Sequence, residues 1–276
     1  MSKTTHSPLR CFNGNAKPHE AFWNFVDAAD SESGQAELEL YGVISEYSWF
    51  DDDVTPEKFK RDLYEIGKGG PLLMKVNSPG GDVVAASVMR AILTDYPGDV
   101  TARVDGLAAS AAVMVTIAAK KVTMLDSAYM MIHDPAVVVF LAYLDIEMLG
   151  KLHDQLSDIK DGVVLAYANK TGMSETKLSH LMSEETWMNA SQAISYGFAD
   201  EIVAGGQKTG AQNVGFVNCL SNYDHVPPAV MQAFTPMNVP EVEVSSKPLL
   251  TDDMQREAQS LREQVQTILR KEPNYA

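Results

Sequence analysis

A serine and a histidine at the ends of two successive apolar runs are the residues of this chain best suited to chemistry. Ser110, in the stretch DGLAASAAVM, follows a predicted strand and opens a predicted helix, with alanines on either side. Small neighbours let a substrate backbone approach, and the N-terminal end of a helix favours negative charge beside the hydroxyl. Serine is also a common helix N-cap, so the position alone supports either a nucleophile or a cap.

A serine nucleophile needs a base, and His133 in the stretch MMIHDP ends the next predicted strand. The carboxyl ends of parallel strands meet at one edge of a sheet, so we expect His133 to lie near Ser110. The remaining histidines fall in terminal stretches, predicted helices or a Pro-rich stretch, and we interpret them as surface or packing residues: His6, His19, His153, His180 and His225.

A carboxylate that orients the imidazole would complete this set. The candidates are Glu185, Asp126, Asp134 and Asp200. Asp134 adjoins the histidine and would point away from it in an extended strand. The residue pattern does not choose among the other three.

The stretch MKVNSPGGDV, residues 74–83, joins an apolar strand to an Ala-rich helix through two glycines. Such a turn could cradle a phosphate, but the chain has neither G-x-x-x-x-G-K-[ST] nor a complete G-x-G-x-x-G. It could be a plain structural turn. It could also present backbone N–H groups to the charge that develops on a carbonyl oxygen.

Strands alternate with buried helices through the middle of the chain, which predicts an α/β fold with a mostly parallel sheet covered on both faces. A helix is predicted from about residue 144 to 169, with an apolar face that needs a partner. We predict four parts: an N-terminal arm over 1–35, the core domain over 36–204, a Pro-rich linker over 205–250 and a C-terminal helix over 251–276.

Composition narrows the class of protein. The net charge of −15 over 276 residues argues against nucleic-acid binding and against attraction to anionic membranes. The two cysteines, Cys11 and Cys219, make no metal-ligand spacing, and no apolar run is long enough for a signal peptide or a membrane span. We therefore expect a cytoplasmic protein with no membrane span, no disulfide framework and no zinc site.

Four stretches together resemble the ClpP family of self-compartmentalising serine peptidases: NSPGGDVVAA, DGLAASAAVMVTIAAKK, MMIHDP and ETWMNASQAISYGFADEI. The resemblance covers about Glu37 to Val203, and it is greatest to the ClpP-related head maturation proteases of tailed phages and prophages. It implies the ClpP/crotonase-like fold of repeated strand–helix units and a homo-oligomeric ring. It also implies protein substrates and no metal or organic cofactor.

The same resemblance implies roles for single residues. Ser110 would be the nucleophile and His133 the general base, and the backbone N–H groups of Gly81 and Ala111 would receive the oxyanion. The family's acid is an Asp, and its position falls on Glu185 here. A glutamate is one methylene longer, so either the backbone retreats or the site works as a weaker dyad.

The resemblance predicts an ATP-independent serine endopeptidase that cleaves phage scaffold and capsid proteins, with host cytoplasm or procapsid as its location. The alternatives are the proteolytic subunit of an ATP-dependent Clp protease, a catalytically silent shell component of the same fold and, more distantly, acyl-CoA chemistry. After His133 the chain departs from the family, because AVVVFLAYLDIEML lacks the glycines that line the family's substrate groove. The arm shows no loop of the kind that engages an ATPase.

Overall fold

The computed structural model describes residues 23–31, 33–44, 56–137, 144–204, 220 and 223–234. The strands within these ranges are β1 Trp23–Val26, β2 Ala36–Tyr41, β3 Leu72–Ser78, β4 Val100–Ala109, β5 Lys121–Leu125, β6 Tyr129–Ile132, β7 Thr186–Asn189 and β8 Glu201–Val203. The helices are α1 Pro56–Gly67, α2 Val83–Thr94, α3 Ala111–Thr116, α4 Ile146–Thr171, α5 Glu175–Ser183, α6 Ala190–Ser195 and α7 Pro228–Phe234. Over the same ranges, no helix has the length and apolar character that crossing a bilayer requires.

The strands form one sheet in the order β1-β2-β3-β4-β5-β8, and β6 and β7 extend it beside the end of β4. The β1–β2 and β6–β7 pairs are antiparallel, and the other described pairs are parallel. β4 changes partner along its length, because Thr101 to Val104 pair with β5 and Leu107 to Ala109 pair with β6. The predicted α/β fold with a mostly parallel sheet is confirmed.

The core strands are buried on both faces, as crossover helices require. In β3 every residue except Lys75 is buried. The helix that follows, α2, begins where the Asp82 carboxylate accepts a hydrogen bond from the N–H of Ala85 at 2.6 Å. This N-cap marks the point where the Gly-Gly turn ends and the helix begins. It provides an acceptor for one of the N–H groups that the first helical turn leaves without an intrahelical partner.

The long helix α4 begins at Ile146 and ends at Thr171, where Gly172 adopts a left-handed conformation with φ of 70°. The predicted helix, over about 144–169, begins and ends two residues earlier in the chain than the observed one. Its C-terminal half packs on the core through Val163 and Tyr167. Near its N-terminus Ile146 is 91% exposed, so this end carries an apolar surface outside the core.

One strand lies inside the range predicted as an N-terminal arm. β1 pairs with β2, and Trp23 is buried with its ring edge-on to Phe59 at 5.2 Å between centroids. Four residues are too few for a periodic pattern, so the sequence offered no strand signal. The remainder of the predicted arm lies outside the described residues, apart from residues 27–31 and 33–35.

A second small core forms where the sequence predicted a linker. Leu220 and Val230 are fully buried against the group Leu107, Ala109 and Met131 of β4 and β6. Prolines exclude a long helix here, but Pro228 starts the seven-residue helix α7, since the first turn needs no N–H from that position. The predicted C-terminal helix over 251–276 lies outside the described residues.

Candidate active site

Ser110 stands between the end of β4 and the start of α3 in a strained backbone conformation, with φ of 54°. Its N–H donates to the carbonyl of Met131 at 2.8 Å, which ties the turn to β6. The Ser110 side chain makes no helix-capping hydrogen bond. Instead Oγ lies 2.7 Å from Nε2 of His133. The alternative that Ser110 is only an N-cap is therefore not realised.

His133 follows β6 directly, and β6 runs parallel to the last residues of β4 with Ala109 opposite Met131. The parallel register brings the residue after β6 beside the residue after β4. Burial lowers the pKa of His133, and the nearby negative charges of Glu185 and Asp134 oppose part of that change. The imidazole is thus neutral near pH 7 and able to accept a proton.

The Gly-Gly turn lies against the nucleophile. Gly80 has φ of 93°, and a Cβ there would lie 2.6 Å from the carbonyl oxygen of Ala109 and 2.7 Å from Cβ of Ser110. Gly81 has φ of 142°, and a Cβ there would collide with the carbonyl of Ile44. Both positions need glycine for two reasons, the backbone conformation and the close approach of another chain segment.

Two backbone donors are available beside Ser110. Ala111 is the first residue of α3, where helix geometry provides no intrahelical acceptor. Around Gly81 the neighbouring groups are occupied, since Ile44 N–H donates to the Gly80 carbonyl and Asp82 N–H donates to the Ile44 carbonyl, each at 2.8 Å. Within the described ranges, the N–H groups of Gly81 and Ala111 donate to no acceptor.

The carboxylate of Glu185 is engaged elsewhere. It accepts from Nε1 of Trp187 at 3.0 Å and from the backbone N–H groups of Asp224 and His225, each at 2.8 Å. Although burial acts to raise it, these hydrogen bonds hold the pKa of Glu185 below its ordinary value. Glu185 is close enough for its charge to act on His133, but its carboxylate makes no hydrogen bond to the imidazole.

Two of the other three acid candidates also have separate partners. Asp134 pairs with Lys160 at 2.8 Å and accepts from the hydroxyl of Ser183 at 2.9 Å, so it faces α4 and α5 rather than the imidazole. Asp200 accepts from the N–H of Val122 at 2.6 Å, and Asp126 is exposed. The structure thus brings Ser110 and His133 together and leaves the imidazole without a carboxylate partner among the described residues.

A cavity of about 350 Å³ opens beside Ser110 and His133. Gly80 and Gly81 form part of its wall. The apolar and aromatic side chains that line it are Val43, Val83, Met114, Val163, Tyr167 and Met182. Such a pocket suits an apolar side chain held next to the attacked bond.

Tyr223 also lines the cavity, and sequence reasoning missed it. Its hydroxyl donates to the carbonyl of Pro79 at 2.8 Å, and its ring stands edge-on to the imidazole of His133 with centroids 5.1 Å apart. The residue lies in the stretch predicted as a linker, 90 positions after His133 by residue number. No local pattern could have indicated this contact, because it depends on the return of the chain to β4 and β6.

No group of three His, Cys, Asp or Glu side chains with the arrangement of a metal site occurs over the described ranges. The site therefore contains a serine hydroxyl polarised by an imidazole, two backbone N–H groups without an acceptor among the described residues, and an apolar pocket. On a mostly parallel α/β sheet, this combination defines a serine hydrolase.

Comparison with known proteins narrows that class. The family model for Clp protease matches residues 63–206. The ATP-dependent Clp protease proteolytic subunit 2 of Treponema pallidum is 31% identical over 144 residues, which are 51% of this chain and 70% of the relative. The ATP-dependent Clp protease proteolytic subunit 1 of Streptomyces avermitilis is 32% identical over 130 residues, which are 46% of this chain and 58% of the relative.

A solved structure agrees in fold. A mutant of ClpP1 from Listeria monocytogenes superposes with a TM-score of 0.52 and 21% identity, over 61% of this chain and 91% of that chain. The chain belongs to the Clp protease family, and it is a serine peptidase of the ClpP type. The predicted family is confirmed.

Proposed function

We propose that Ser110 attacks the carbonyl carbon of a peptide bond while His133 takes its proton. The observation that carries this proposal is the 2.7 Å contact between Ser110 Oγ and His133 Nε2. A C–O bond forms to the serine, and the protonated imidazole then gives its proton to the leaving amine as the C–N bond breaks. Water hydrolyses the resulting ester by the reverse sequence of proton transfers, which restores the free hydroxyl.

The N–H groups of Gly81 and Ala111 stabilise the oxyanion of each tetrahedral intermediate. Their position beside Ser110 supports this role, as does their freedom from acceptors among the described residues. One such donor is worth about 3 kcal/mol of barrier. The glycines of the turn are needed because any side chain there would push the backbone away from the nucleophile.

Glu185 is the acidic member of the set in this proposal. Its negative charge acts on His133 and favours the imidazolium that forms during attack. Its carboxylate is fixed by three hydrogen bonds, and the hydrogen bonds hold it ionised near neutral pH.

For the biological role we propose head maturation of a phage or prophage by cleavage of scaffold and capsid proteins, in the host cytoplasm or the procapsid. The sequence resemblance to head maturation proteases supports this role, and the apolar pocket beside Ser110 suits a protein substrate with an apolar residue at the cleaved bond. The subunits would act as a homo-oligomeric ring without an ATPase.

A second candidate role is proteolysis within an ATP-dependent Clp protease. The names of the relatives from Treponema pallidum and Streptomyces avermitilis favour it, since both are proteolytic subunits of such proteases. The two roles differ in their need for an unfolding ATPase.

The experiment that tests the chemistry is intact-protein mass after incubation with a fluorophosphonate. We expect one adduct on the unmodified chain and none on Ser110→Ala. An unlabelled wild-type chain would overturn the proposed chemistry and favour a silent shell component. The role is tested with purified capsid and scaffold proteins, with and without ATP and a Clp ATPase: cleavage without ATP supports head maturation, and cleavage only with the ATPase supports the second role.

A further inference from the structure

We propose that Tyr223 is a positioning residue for His133 and that Glu185, in addition to the effect of its charge, acts on the imidazole through the backbone that carries Tyr223. The inference rests on the proposed roles of Ser110 and His133 and adds a residue to them. It also gives Glu185 a mechanism other than a direct hydrogen bond to the histidine.

Tyr223 contacts both the catalytic base and the Gly-Gly turn. Its ring packs at 80° to the imidazole plane of His133, with 5.1 Å between centroids. Its hydroxyl donates to the carbonyl of Pro79, the residue before the Gly-Gly turn. Its ring also packs on the ring of Trp187, with centroids 6.0 Å apart. The tyrosine therefore connects the base to the segment that carries the oxyanion donor.

Glu185 holds the two residues that follow Tyr223. One carboxylate oxygen accepts from the N–H of Asp224, and the other accepts from the N–H of His225 and from Nε1 of Trp187. Hydrogen bonds to an ionised acceptor are stronger than neutral ones. The carboxylate at the family's acid position thus fixes the backbone next to the ring that contacts the imidazole.

The segment is also anchored on both sides of Tyr223 by apolar burial. Leu220 and Val230 are fully buried on Leu107, Ala109 and Met131. These three residues belong to the ends of β4 and β6, the same strands that present Ser110 and His133. Movement of Tyr223 away from the site would therefore uncover part of the core.

Tyr223 lies beyond residues 63–206, the part of the chain that matches the Clp protease family. The positioning group is thus supplied by a segment outside the matched domain. A histidine whose second nitrogen lacks a carboxylate partner needs another constraint on its ring orientation, because a small misplacement of a catalytic group has a large effect on rate. The edge-on ring of Tyr223 supplies that constraint.

Tyr223 and Glu185 affect the pKa of His133 in opposite directions. Loss of the Tyr223 ring would expose the imidazole and raise its pKa, because burial is what lowers it. Loss of the Glu185 charge would lower the pKa. Among the described residues, the other charge that acts on the imidazole is that of Asp134, which is paired with Lys160.

The test measures the rate of fluorophosphonate labelling against pH for the full-length chain. Tyr223→Phe keeps the ring, so we expect labelling close to wild type. In Tyr223→Ala we expect labelling about tenfold slower or more, with the apparent pKa moved upward. Val226→Ala is the matched control, because it removes packing from the same segment without contact to the imidazole, and we expect an unchanged pKa and rate.

A second measurement tests the link to Glu185. If Glu185 acts through Tyr223, the losses in Glu185→Ala and Tyr223→Ala are not additive, and the double variant labels about as slowly as the slower single variant. Multiplied losses would overturn this part of the proposal and leave the charge of Glu185 as its one action on the base.

One further outcome is decisive. Labelling at the wild-type rate or faster in Tyr223→Ala would overturn the positioning role and make the segment a cover over the pocket. If Tyr223→Ala does not fold, as judged by circular dichroism, Tyr223→Leu replaces it, because leucine keeps apolar bulk without a planar ring.

NMR titration of the imidazole separates failure of this inference from failure of the proposed chemistry. An unlabelled wild-type chain would overturn the chemistry alone, and the titration would still report on the contact. An unchanged His133 pKa in Tyr223→Ala would then overturn the inference, and an upward shift would support it.

Discussion

A Cβ atom on Gly80 would lie 2.7 Å from Cβ of Ser110, so the turn before α2 and the turn before α3 are in backbone contact. The two turns follow β3 and β4, which are neighbouring parallel strands. This contact brings the proposed oxyanion donor on Gly81 beside the proposed nucleophile.

The first prediction is that Gly80→Ala disables the site. The substitution places a methyl group against Ser110 and the Ala109 carbonyl, at a φ of 93° that costs an alanine about 1–3 kcal/mol. We expect labelling by the fluorophosphonate to fall about a hundredfold, as for loss of an oxyanion donor. Gly162→Ala is the control, because a Cβ there meets nothing within 4 Å and lies in helix α4. Equal labelling of Gly80→Ala and wild type would contradict the prediction.

The second prediction concerns pH. Serine attack needs neutral His133, so the labelling rate should rise with pH through the pKa of this imidazole and reach a plateau above it. Because burial lowers that pKa, the midpoint should lie below the ordinary value of about 6.5. Glu185→Gln removes a negative charge that favours the protonated form, so its midpoint should lie lower still. A midpoint above that of wild type in Glu185→Gln would be incompatible with this account.

The third prediction concerns the ion pair between Lys160 and Asp134, the residue that follows His133. Lys160 neutralises Asp134, which adjoins His133. Lys160→Met leaves the Asp134 charge uncompensated and should raise the midpoint of the labelling profile, because a nearby negative charge favours the imidazolium. Lys151→Met on the same helix is the matched control, since it breaks only an exposed pair with Glu147. A profile identical to that of the control would argue against the effect.

The fourth prediction is that α7 is part of the folded domain. Val230 is fully buried in the small core against which Tyr223 packs, so Val230→Ala should lower the free energy of unfolding by about 2 kcal/mol. Gln232→Ala, an exposed position on the same helix, should change it by less than about 0.5 kcal/mol. Urea unfolding followed by circular dichroism measures both. Equal midpoints for the two variants would show that α7 does not stabilise the domain.

The periodic middle of the chain was predictable because its signals are local. Apolar runs indicated β3 and β4, and an apolar face at helical spacing indicated α4. The sequence also predicted the meeting of Ser110 and His133, because parallel strands deliver their carboxyl ends to one edge of a sheet. The two strands are β4 and β6, which pair in the sheet although β5 lies between them in the chain. The roles of Ser110, His133, Glu185, Gly81 and Ala111 remain predictions until the labelling experiments are done.

The sequence by itself determined the α/β sheet, the family and the pairing of a serine with a histidine, since each depends on local residue patterns and on the order in which they follow one another. Only the tertiary structure decided where the carboxylate of Glu185 is bound and which aromatic side chain packs against the base. It also decided that part of the predicted linker packs on β4 and β6 through Leu220 and Val230. These contacts join residues that are distant in the chain, so no local sequence pattern could predict them.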